Sequence, residues 1–378
     1  MILKMEIFSR SLSVKNLRVD GPCKTALFFV SLLFILARTT VSLAESNPSK
    51  LKLLSLNLWH GLDAKGLINF GRLETLQENE SRFKRTIDLL QKENFDLLFL
   101  QEVNPIRSRS SQLAEVLYLD EVHQSDNCGI KVFGFGPPFN FHSGITILAK
   151  KSLQLKKLTS VKLSGSSFGS CGDWFSFQLS EFRYALFASI EWNQEKLLLI
   201  NTHLHHEVGN EFPDSPQEEG MLSSDEKSFF TDFKNKSSRR RKEEVDQVLK
   251  SLSELSASTK YASIILAGDF NTKPSSPALA KVRENFPNYF PFNPLNQVSW
   301  DPEKNPLAKT ATGLKPSDPY FQNSPALRHL WETYHLSPRE IDLVFLKGRG
   351  SLKDQGFFPE KSAAVSDHYG IKGELLLK

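Results

Sequence analysis

The chain has 378 residues, of which 40% are hydrophobic and 24% charged, a mixture typical of globular proteins that excludes disordered and fibrous ones. Its 3 cysteines are too few for a disulfide scaffold or a zinc–cysteine array. The formal net charge of +4 is carried by residues 1–44. The remainder is formally neutral, so it lacks the overall basic excess of proteins that track nucleic-acid phosphates, although a local basic patch remains open.

The N-terminal segment has the three-part pattern of a secretory signal peptide. After a basic stretch, residues 26–37 contain no charge, and these 12 residues are too few for a membrane span, which needs ~20. The small-residue site at 42–44 predicts cleavage after Ala44, so that the mature chain, residues 45–378, is secreted or periplasmic. Two alternatives stay open: an uncleaved segment that anchors the chain to a membrane, and a buried core helix.

Export would carry the two cysteines of the mature chain, Cys128 and Cys171, into an oxidising compartment. There they can form a disulfide bond, and two free buried thiols are the equal alternative. Because the sequence does not give the distance between the two residues, it leaves their pairing open.

In chain order, residues 45–378 alternate apolar runs with amphipathic stretches, which predicts strands and helices of one α/β domain. The predicted strands are 50–57, 95–102, 144–150, 184–192, 196–204, 263–271, 341–346 and 369–377. The predicted helices are 81–94 and 239–256. Two polar segments, 207–238 and 284–339, resist assignment; loops of this length often shape active sites, and tolerated surface insertions are the alternative.

Polar residues with metal-binding or proton-transfer chemistry recur at the ends of these predicted strands. They are Asn57, Glu102, His203, Asp269, Asn271, Asp342, Asp367 and His368. Carboxylates that converge repel one another unless a cation lies among them, and oxygen ligands without cysteine suit Mg²⁺ or Mn²⁺. Histidines add proton transfer. Each residue alone has a simpler interpretation as a cap, a turn or a core residue, but the ordered set predicts a site for phosphoester hydrolysis.

In the same order, the motifs SLN, LQEV, NTHLHH, GDFN, REIDLVF and SDH resemble those of the endonuclease/exonuclease/phosphatase superfamily, which has the deoxyribonuclease-like fold. The resemblance spans residues 51–377 and implies a single catalytic domain over residues 45–378. It implies a four-layered α/β sandwich, in which two mixed β-sheets pack face to face with helices outside. It also implies Mg²⁺-dependent cleavage of a phosphoester by an activated water. The segments NTHLHHE and GDFNTKP look nearest to the secreted neutral sphingomyelinase branch.

The resemblance implies a metal site built from residues of three motifs. Glu102 matches the principal ligand of the metal, which is expected to be Mg²⁺ with Mn²⁺ as a substitute. Asn57 matches the asparagine beside it, which helps to hold the metal and the phosphate. Asp367 matches the acid that lies near the metal or is bonded to His368.

The resemblance also implies the catalytic residues. His368 matches a histidine that acts as general base or contacts the phosphate, and Asp342 matches the carboxylate that orients it. Asp269 and Asn271 match the pair that positions the attacking water, and His203 matches a histidine of the sphingomyelinase and deoxyribonuclease branches. Whether Asp269 or His368 is the general base stays open.

The motifs leave the substrate open, because this fold serves several phosphoester chemistries. A phospholipid head group or a small phosphodiester is favoured by charge neutrality and by the aromatic residues of 288–300, which suit a membrane interface unless they pack beneath their own loop. No clear hairpin with two exposed aromatic residues is evident, which puts sphingomyelinase activity itself in doubt.

The alternative is a secreted nuclease acting on DNA or RNA. Its basic groove would draw on 239–242, Arg107 and Arg109, although 239–242 is more simply the solvated start of a helix. A non-catalytic binding module is disfavoured because every expected position is filled, and the chain is expected to act as a monomer.

Overall fold

A computed structural model describes residues 50–63, 72–133, 142–165, 169–171, 175–178, 182–206, 208–209, 220–290, 298–311, 319–359 and 364–377. They belong to one compact unit, Asn47–Lys378, whereas the predicted signal segment 1–44 and its cleavage site lie outside the described residues. Within the described part of the chain, no helix has both the length and the apolar character that a membrane crossing requires.

The strands and helices alternate along the chain. The strands are β1 (Lys50–Asn57), β2 (Leu62–Asp63), β3 (Arg72–Leu73), β4 (Leu97–Val103), β5 (Leu119–Ser125), β6 (Lys131–Val132), β7 (Gly144–Lys150), β8 (Lys156–Ser164), β9 (Gly169–Cys171), β10 (Phe175–Gln178), β11 (Arg183–Trp192), β12 (Glu195–His203), β13 (Ser263–Asp269), β14 (Asn288–Phe290), β15 (Asp342–Gly348), β16 (Ser351–Phe358) and β17 (Gly370–Leu376). The helices are α1 (Leu76–Glu93), α2 (Ile106–Leu117), α3 (Ser224–Ser258), α4 (Ala280–Asn285), α5 (Pro306–Ala311), α6 (Pro319–Asn323) and α7 (Pro325–Leu336).

Two six-stranded sheets share one plan, with strand orders β16-β17-β1-β4-β7-β5 and β14-β15-β13-β12-β11-β8. Each has a single parallel pair at its centre, β1 with β4 and β12 with β13, and antiparallel strands on both sides. The parallel pairs place the carboxyl ends of four strands at the rims of the two sheets. A small sheet with the order β6-β10-β9 and the hairpin β2-β3 lie outside this plan.

The two sheets pack face to face because alternate residues of their strands are apolar on the inner side. The inner faces form one buried cluster, which includes Leu51, Leu53, Leu97, Phe99, Leu197, Leu199, Ile265, Ala267, Val344 and Leu346. The opposite face of β1 packs on α1 through Leu54 and Phe83, and the opposite face of β12 packs on α3 through Leu198 and Val248. The order helix, sheet, sheet, helix confirms the expected four-layered sandwich.

Each predicted strand is present, with its ends within about two residues of the predicted ones. The four edge strands of these sheets, β5, β8, β14 and β16, have no counterpart among the predicted ones. Residues of β5 are half-buried along most of its length, so the strand lacks the apolar run that marks β1 or β13. Helix α1 begins at Leu76 rather than at residue 81, because Thr75 and Glu78 form a capping box.

The segments without predicted structure are partly helical, which corrects their interpretation as loops. Helix α3 begins at Ser224 and not at residue 239. Ser223 and Glu226 form a second capping box at this start. Its first turns carry Phe230, which is buried in one cluster with residues of α6 and α7, among them Phe321 and Trp331. This cluster provides the apolar burial that stabilises the extra turns of α3.

Candidate active site

Strand alternation directs several of the predicted site residues into the space between the sheets. In β1, Leu53 faces the inter-sheet core, and Asn57 lies four residues further on the same face. In β13, Ile265 and Ala267 face this core and Asp269 follows them. The same alternation places His203 at the end of β12 and Asp342 at the start of β15. Polar side chains from both sheets therefore lie at the rim between them.

Glu102 reaches the same space by a different route. Simple alternation would direct it to the outer face, where Leu98 and Leu100 pack on the helices. The pairing of β4 with β7 is irregular between Leu100 and Val103, and Glu102 adopts a left-handed backbone with φ 54°. Irregular positions of this kind redirect side chains, and here the redirected carboxylate turns toward Asn57.

Asn57 links the two sheets through its side-chain amide. Its Nδ2 donates to Glu102 Oε1 at 3.1 Å and to Asp269 Oδ2 at 3.1 Å, while its Oδ1 accepts from the backbone N–H of Trp59 at 2.9 Å. In this arrangement Asn57 positions two carboxylates against each other. Its predicted role as a metal ligand stays a prediction; its oxygen accepts one hydrogen bond and keeps a second lone pair.

His203 lies between the same two carboxylates. Its Nε2 is 3.8 Å from Glu102 Oε1 and 3.5 Å from Asp269 Oδ2, and its side chain is buried. Burial and the nearby charge of Arg183 hold the pKa of His203 well below its usual range, so the ring is neutral near pH 7. Neutral imidazole suits a hydrogen-bonding or metal-binding role more than a fixed positive charge.

His368 and Asp342 form a buried pair beside Asp269. His368 Nδ1 is 2.8 Å from Asp342 Oδ2, and His368 Nε2 is 3.9 Å from Asp269 Oδ2. Although burial alone would lower the pKa of His368, the charges of Asp342 and Asp367 outweigh it and raise this pKa to about 10. The pair therefore holds a charged imidazolium whose Nε2 faces Asp269.

Two residues that the sequence did not assign to the active site hold this pair in place. Ser299 Oγ accepts hydrogen bonds from the backbone N–H of Ile341 at 3.1 Å and of Asp342 at 3.0 Å. The Trp300 ring meets the His368 ring edge to face, with their centroids 5.1 Å apart. Trp300 is buried, so this residue of the predicted docking segment 288–300 supports the site and does not face a membrane. Tyr289 of the same segment is exposed, and Phe292 lies outside the described residues.

The GDFN turn positions Asp269. Gly268 has φ +149°, and a Cβ on it would lie 1.9 Å from the carbonyl oxygen of Thr202 in the neighbouring strand, so no larger residue fits. Asn271 donates its backbone N–H to Asp269 Oδ1 at 2.9 Å and its Nδ2 to the Leu204 carbonyl at 3.0 Å. Burial and the charge of Asp342 raise the pKa of Asp269 to about 7.

His60 is a further residue at Glu102 that the motifs did not mark. Its backbone N–H donates to Glu102 Oε2 at 3.0 Å, and its ring Nε2 is 3.5 Å from the same oxygen. Burial would raise the pKa of Glu102, but the nearby His60 ring and the hydrogen bonds from the His60 N–H and the Asn57 amide outweigh it and lower this pKa, so Glu102 is ionised. A histidine three residues after Asn57 in SLNLWH was the available signal.

The acid groups of the site fit a divalent cation. Burial raises the pKa of Asp367 to about 6, and the charge of Glu102 adds to this while the charge of His368 opposes it. Asp342 Oδ1 is buried, and among the described residues no group donates a hydrogen bond to it. Asp269, Asp342 and His368 also bring possible ligand atoms within 4.8 Å of one another, and His368 could bind a metal there only after it had lost a ring proton. This geometric group differs from the predicted ligands Asn57, Glu102 and Asp367.

Two further histidines follow His203 beyond the end of strand β12. Helix α3 holds the backbone of His205, whose N–H donates to Glu244 at 2.9 Å. His206 Nδ1 is 3.1 Å from Arg183 Nη2, and His206 contributes to the low pKa of His203. His206 therefore affects the site electrostatically.

Fold and site together define a phosphoester hydrolase with carboxylates and histidines between two mixed sheets. A family model described as the endonuclease/exonuclease/phosphatase family matches residues 54–368, and the chain belongs to this family. The human nocturnin catalytic domain with bound sulfate is similar at 13% identity and a TM-score of 0.51, covering 87% of this chain and 94% of that one.

Two further solved structures have TM-scores slightly lower than that of nocturnin. D. rerio TDP2, humanized by 14 mutations, has a TM-score of 0.49 at 15% identity, over 87% of this chain and 99% of that one. An endonuclease/exonuclease/phosphatase protein from Bacteroides vulgatus has a TM-score of 0.49 at 14% identity, over the same shares of 87% and 99%. No curated protein matches the sequence. The likeness to nocturnin supports the fold alone, and the sphingomyelinase branch stays a prediction.

Proposed function

We propose that this protein is a Mg²⁺-dependent phosphodiesterase that cleaves its substrate by attack of a water molecule on phosphorus. The observation that carries this proposal is the chain of contacts from Glu102 through Asn57 to Asp269, with His203 and His368 within 4 Å of it. It joins residues of both sheets into one buried polar centre. Such a centre is costly for the fold unless it binds a ligand or performs chemistry.

In the proposed reaction, a bond forms between phosphorus and the water oxygen while the bond to the leaving oxygen breaks. Asp269 accepts the proton of the water, because its pKa is raised to about 7 and Asn271 fixes one of its oxygens. His368, held charged by Asp342, donates from Nε2 to a phosphoryl oxygen. Glu102 and Asp367 would hold Mg²⁺, which when bound neutralises charge on the phosphoryl oxygens.

A phospholipid head group or small phosphodiester is the proposed substrate class. Of the arginines predicted to form a basic groove, Arg109 is buried over the Phe83 ring and pairs with Glu80 at 2.6 Å. Arg241 lies inside α3, which begins at Ser224, and it is buried and donates to the His205 carbonyl at 3.1 Å, whereas Arg239 and Lys242 of the same run are exposed. Arg109 and Arg241 therefore contact other residues of the same chain, which weakens the case for a basic groove that binds nucleic acid.

The proposal includes export, with residues 1–44 as a signal peptide cleaved after Ala44. A disulfide bond between Cys128 and Cys171 supports it, because such bonds persist in oxidising compartments. N-terminal sequencing of the secreted or periplasmic protein should give Glu45 as the first residue. A soluble cytosolic protein that retains residues 1–44 would exclude a cleaved signal.

The test is a panel assay of the purified mature chain with Mg²⁺, using sphingomyelin, DNA, RNA, inositol phosphates and bis-p-nitrophenyl phosphate. Glu102→Gln should lower turnover and raise the Mg²⁺ concentration required, because it keeps the shape and removes the charge. His368→Ala should leave Mg²⁺ binding nearly intact and lower turnover ~10²–10⁴-fold. His203→Ala should lower turnover as well. Full activity of Glu102→Gln in a chelator would refute metal catalysis, and preferential cleavage of DNA or RNA would select the nuclease alternative.

A further inference from the structure

A first insertion leaves the sandwich beside the candidate active site. Strand β5 ends at Ser125 and β7 begins at Gly144, and these two residues pair with each other. Gly144 also pairs with Val103, the residue after Glu102. The segment between Ser125 and Gly144 therefore emerges at the rim that carries Glu102.

A second insertion leaves the other sheet at the corresponding place. Strand β8 ends at Ser164 and β11 begins at Arg183, and these residues pair. Ala185 in the same strand pairs with Thr202, which precedes His203. Both insertions thus emerge at the rim of the active site, one from each sheet.

The two insertions join into one structure, which we call the rim platform: strands β6, β9 and β10 with residues 128–133. Strand β10 of the second insertion pairs with β6 of the first, and a disulfide bond connects Cys128 with Cys171. Gln178 Oε1 accepts from the Cys128 N–H at 2.6 Å, and Ser176 Oγ donates to the Cys128 carbonyl at 2.9 Å. These covalent and polar links hold the platform together without a large core of its own.

The rim platform presents apolar side chains to solvent. Phe133 is 76% exposed and Phe175 is 57% exposed, and Phe175 is paired with Val132, which is exposed as well. Ile130 adds a fourth exposed apolar residue to the same short stretch. Soluble proteins rarely expose such groups together unless the surface binds something. The sequence alone had shown no such pair of exposed aromatics on neighbouring strands.

The composition around these residues suits a lipid surface. The platform residues 128–133, 169–171 and 175–178 contain one charged residue, Lys131, while Asp173 and Glu181 belong to the second insertion. Apolar contact, and not charge attraction to lipid phosphates, would therefore drive the docking. The chain returns to the site at His142, whose N–H donates to Asn104 Oδ1 at 3.3 Å; Asn104 Nδ2 in turn donates to the His60 carbonyl at 2.9 Å.

We propose that the rim platform docks on a phospholipid surface, with Phe133 and Phe175 inserted among the head groups. Both insertions start at the rim that holds Glu102 and His203, so docking brings the active site to the layer of head-group phosphates. This inference rests on the proposed function for its purpose, although the docking itself does not require catalysis. The substrate would then be a phospholipid that is part of a lipid bilayer.

The experiment measures vesicle binding in the His368→Ala background, so that hydrolysis does not change the lipid. Full-length mature chain is mixed with phosphatidylcholine vesicles, with or without phosphatidylserine, and the bound fraction is measured by co-flotation. The double substitution Phe133→Asp and Phe175→Asp should weaken binding by about tenfold or more, since a fully buried phenylalanine contributes about 1.5–3 kcal/mol, which is about tenfold or more.

Tyr118→Asp is the matched control. Tyr118 is 78% exposed, yet it adjoins the start of β5, where Leu119 pairs with Lys150 at the end of the sheet away from the site. Its substitution should leave vesicle binding unchanged. Melting temperatures and thiol titration of all variants establish that the fold and the disulfide are intact.

The outcomes separate docking from catalysis. If the wild-type chain cleaves bis-p-nitrophenyl phosphate but the His368→Ala chain binds neither kind of vesicle, docking is overturned and the proposed function stands. If the vesicles bind but no phosphodiester in the panel is cleaved, the proposed function fails and docking stands. Equal loss of binding in the platform and Tyr118 variants, or self-association through the platform in place of vesicle binding, would also overturn the docking.

Discussion

Replacing Asp342 by Asn tests the buried pair at the centre of the proposed mechanism. The change keeps the size of the side chain and removes the charge that faces His368 Nδ1 at 2.8 Å. The carboxylate is buried, and its backbone N–H is held by Ser299, so the substituted side chain should stay in place. The expected consequence is electrostatic: His368 loses the partner that keeps its ring oriented and charged.

The geometry sets the size of the effect. Two unit charges 2.8 Å apart attract each other by ~6 kcal/mol at an effective dielectric constant of ~20, which is an upper bound because asparagine can still accept a hydrogen bond. A loss of turnover of ~10²–10⁴-fold corresponds to ~3–5 kcal/mol, which lies within this bound. We therefore expect turnover to fall in this range and the pKa of His368 to fall from about 10.

The assay combines turnover on bis-p-nitrophenyl phosphate with an NMR titration of His368 in a chelator. In the wild-type chain the imidazolium should persist at neutral pH and disappear as the pH rises through about 10; in Asp342→Asn this transition should move to lower pH. Glu121→Gln is the matched control, because it removes the charge of another pair, with Glu121 Oε2 at 2.9 Å from His123 Nδ1 on edge strand β5. Wild-type turnover of Asp342→Asn, or an unchanged titration of His368, would refute the role of the pair.

Three further predictions concern stability. Replacing Cys128 and Cys171 by serine removes a disulfide bond that spans 43 residues, and it should lower the free energy of unfolding in a denaturant titration by up to ~4 kcal/mol. An unchanged denaturation midpoint would show that the disulfide bond does not stabilise the fold. In a chelator, the folded state holds the protons of Asp269 and Asp367 more tightly than the unfolded state does, since their pKa values are raised to about 7 and about 6. The contribution of these two acids to stability is therefore complete below about pH 4 and is lost as the pH rises through 7, and Mg²⁺ should raise the melting temperature more at pH 8 than at pH 5; equal Mg²⁺ shifts would contradict a site among these acids. Phe230→Ala should lower the free energy of unfolding, measured by calorimetry, by ~3–5 kcal/mol, because Phe230 is buried between α3, α6 and α7. A decrease of under ~1 kcal/mol would mean that the first turns of α3 do not depend on this cluster.

Local periodicity accounts for what the sequence determined by itself. The apolar runs located β1, β13 and the other central strands, because residues buried on both faces leave a continuous apolar signal. Polar residues at the ends of those runs marked Asn57, Asp269 and Asp342. The family motifs then predicted the four-layered fold, which the two sheets and the family match confirm.

The edge strands and the first turns of α3 have weaker sequence patterns, which did not predict them. Strand β5 is half-buried and polar, and the opening of α3 is stabilised by a capping box and by contacts with α6 and α7, which lie about a hundred residues away in the chain. Stability that comes from such distant packing leaves little trace in a local window of sequence.

Only the tertiary structure decided how the site is assembled. Asn57 and Asp269 are 212 residues apart in the chain and share a hydrogen bond because the two sheets meet face to face. Glu102 turns inward through an irregular, left-handed position that its neighbours in sequence do not announce. Ser299 and Trp300 reach the pair of Asp342 and His368 from a segment with no motif, and Cys128 meets Cys171 only because two insertions emerge at one rim. Side-chain periodicity acts over a few residues, whereas these contacts depend on how whole strands are placed against each other in space.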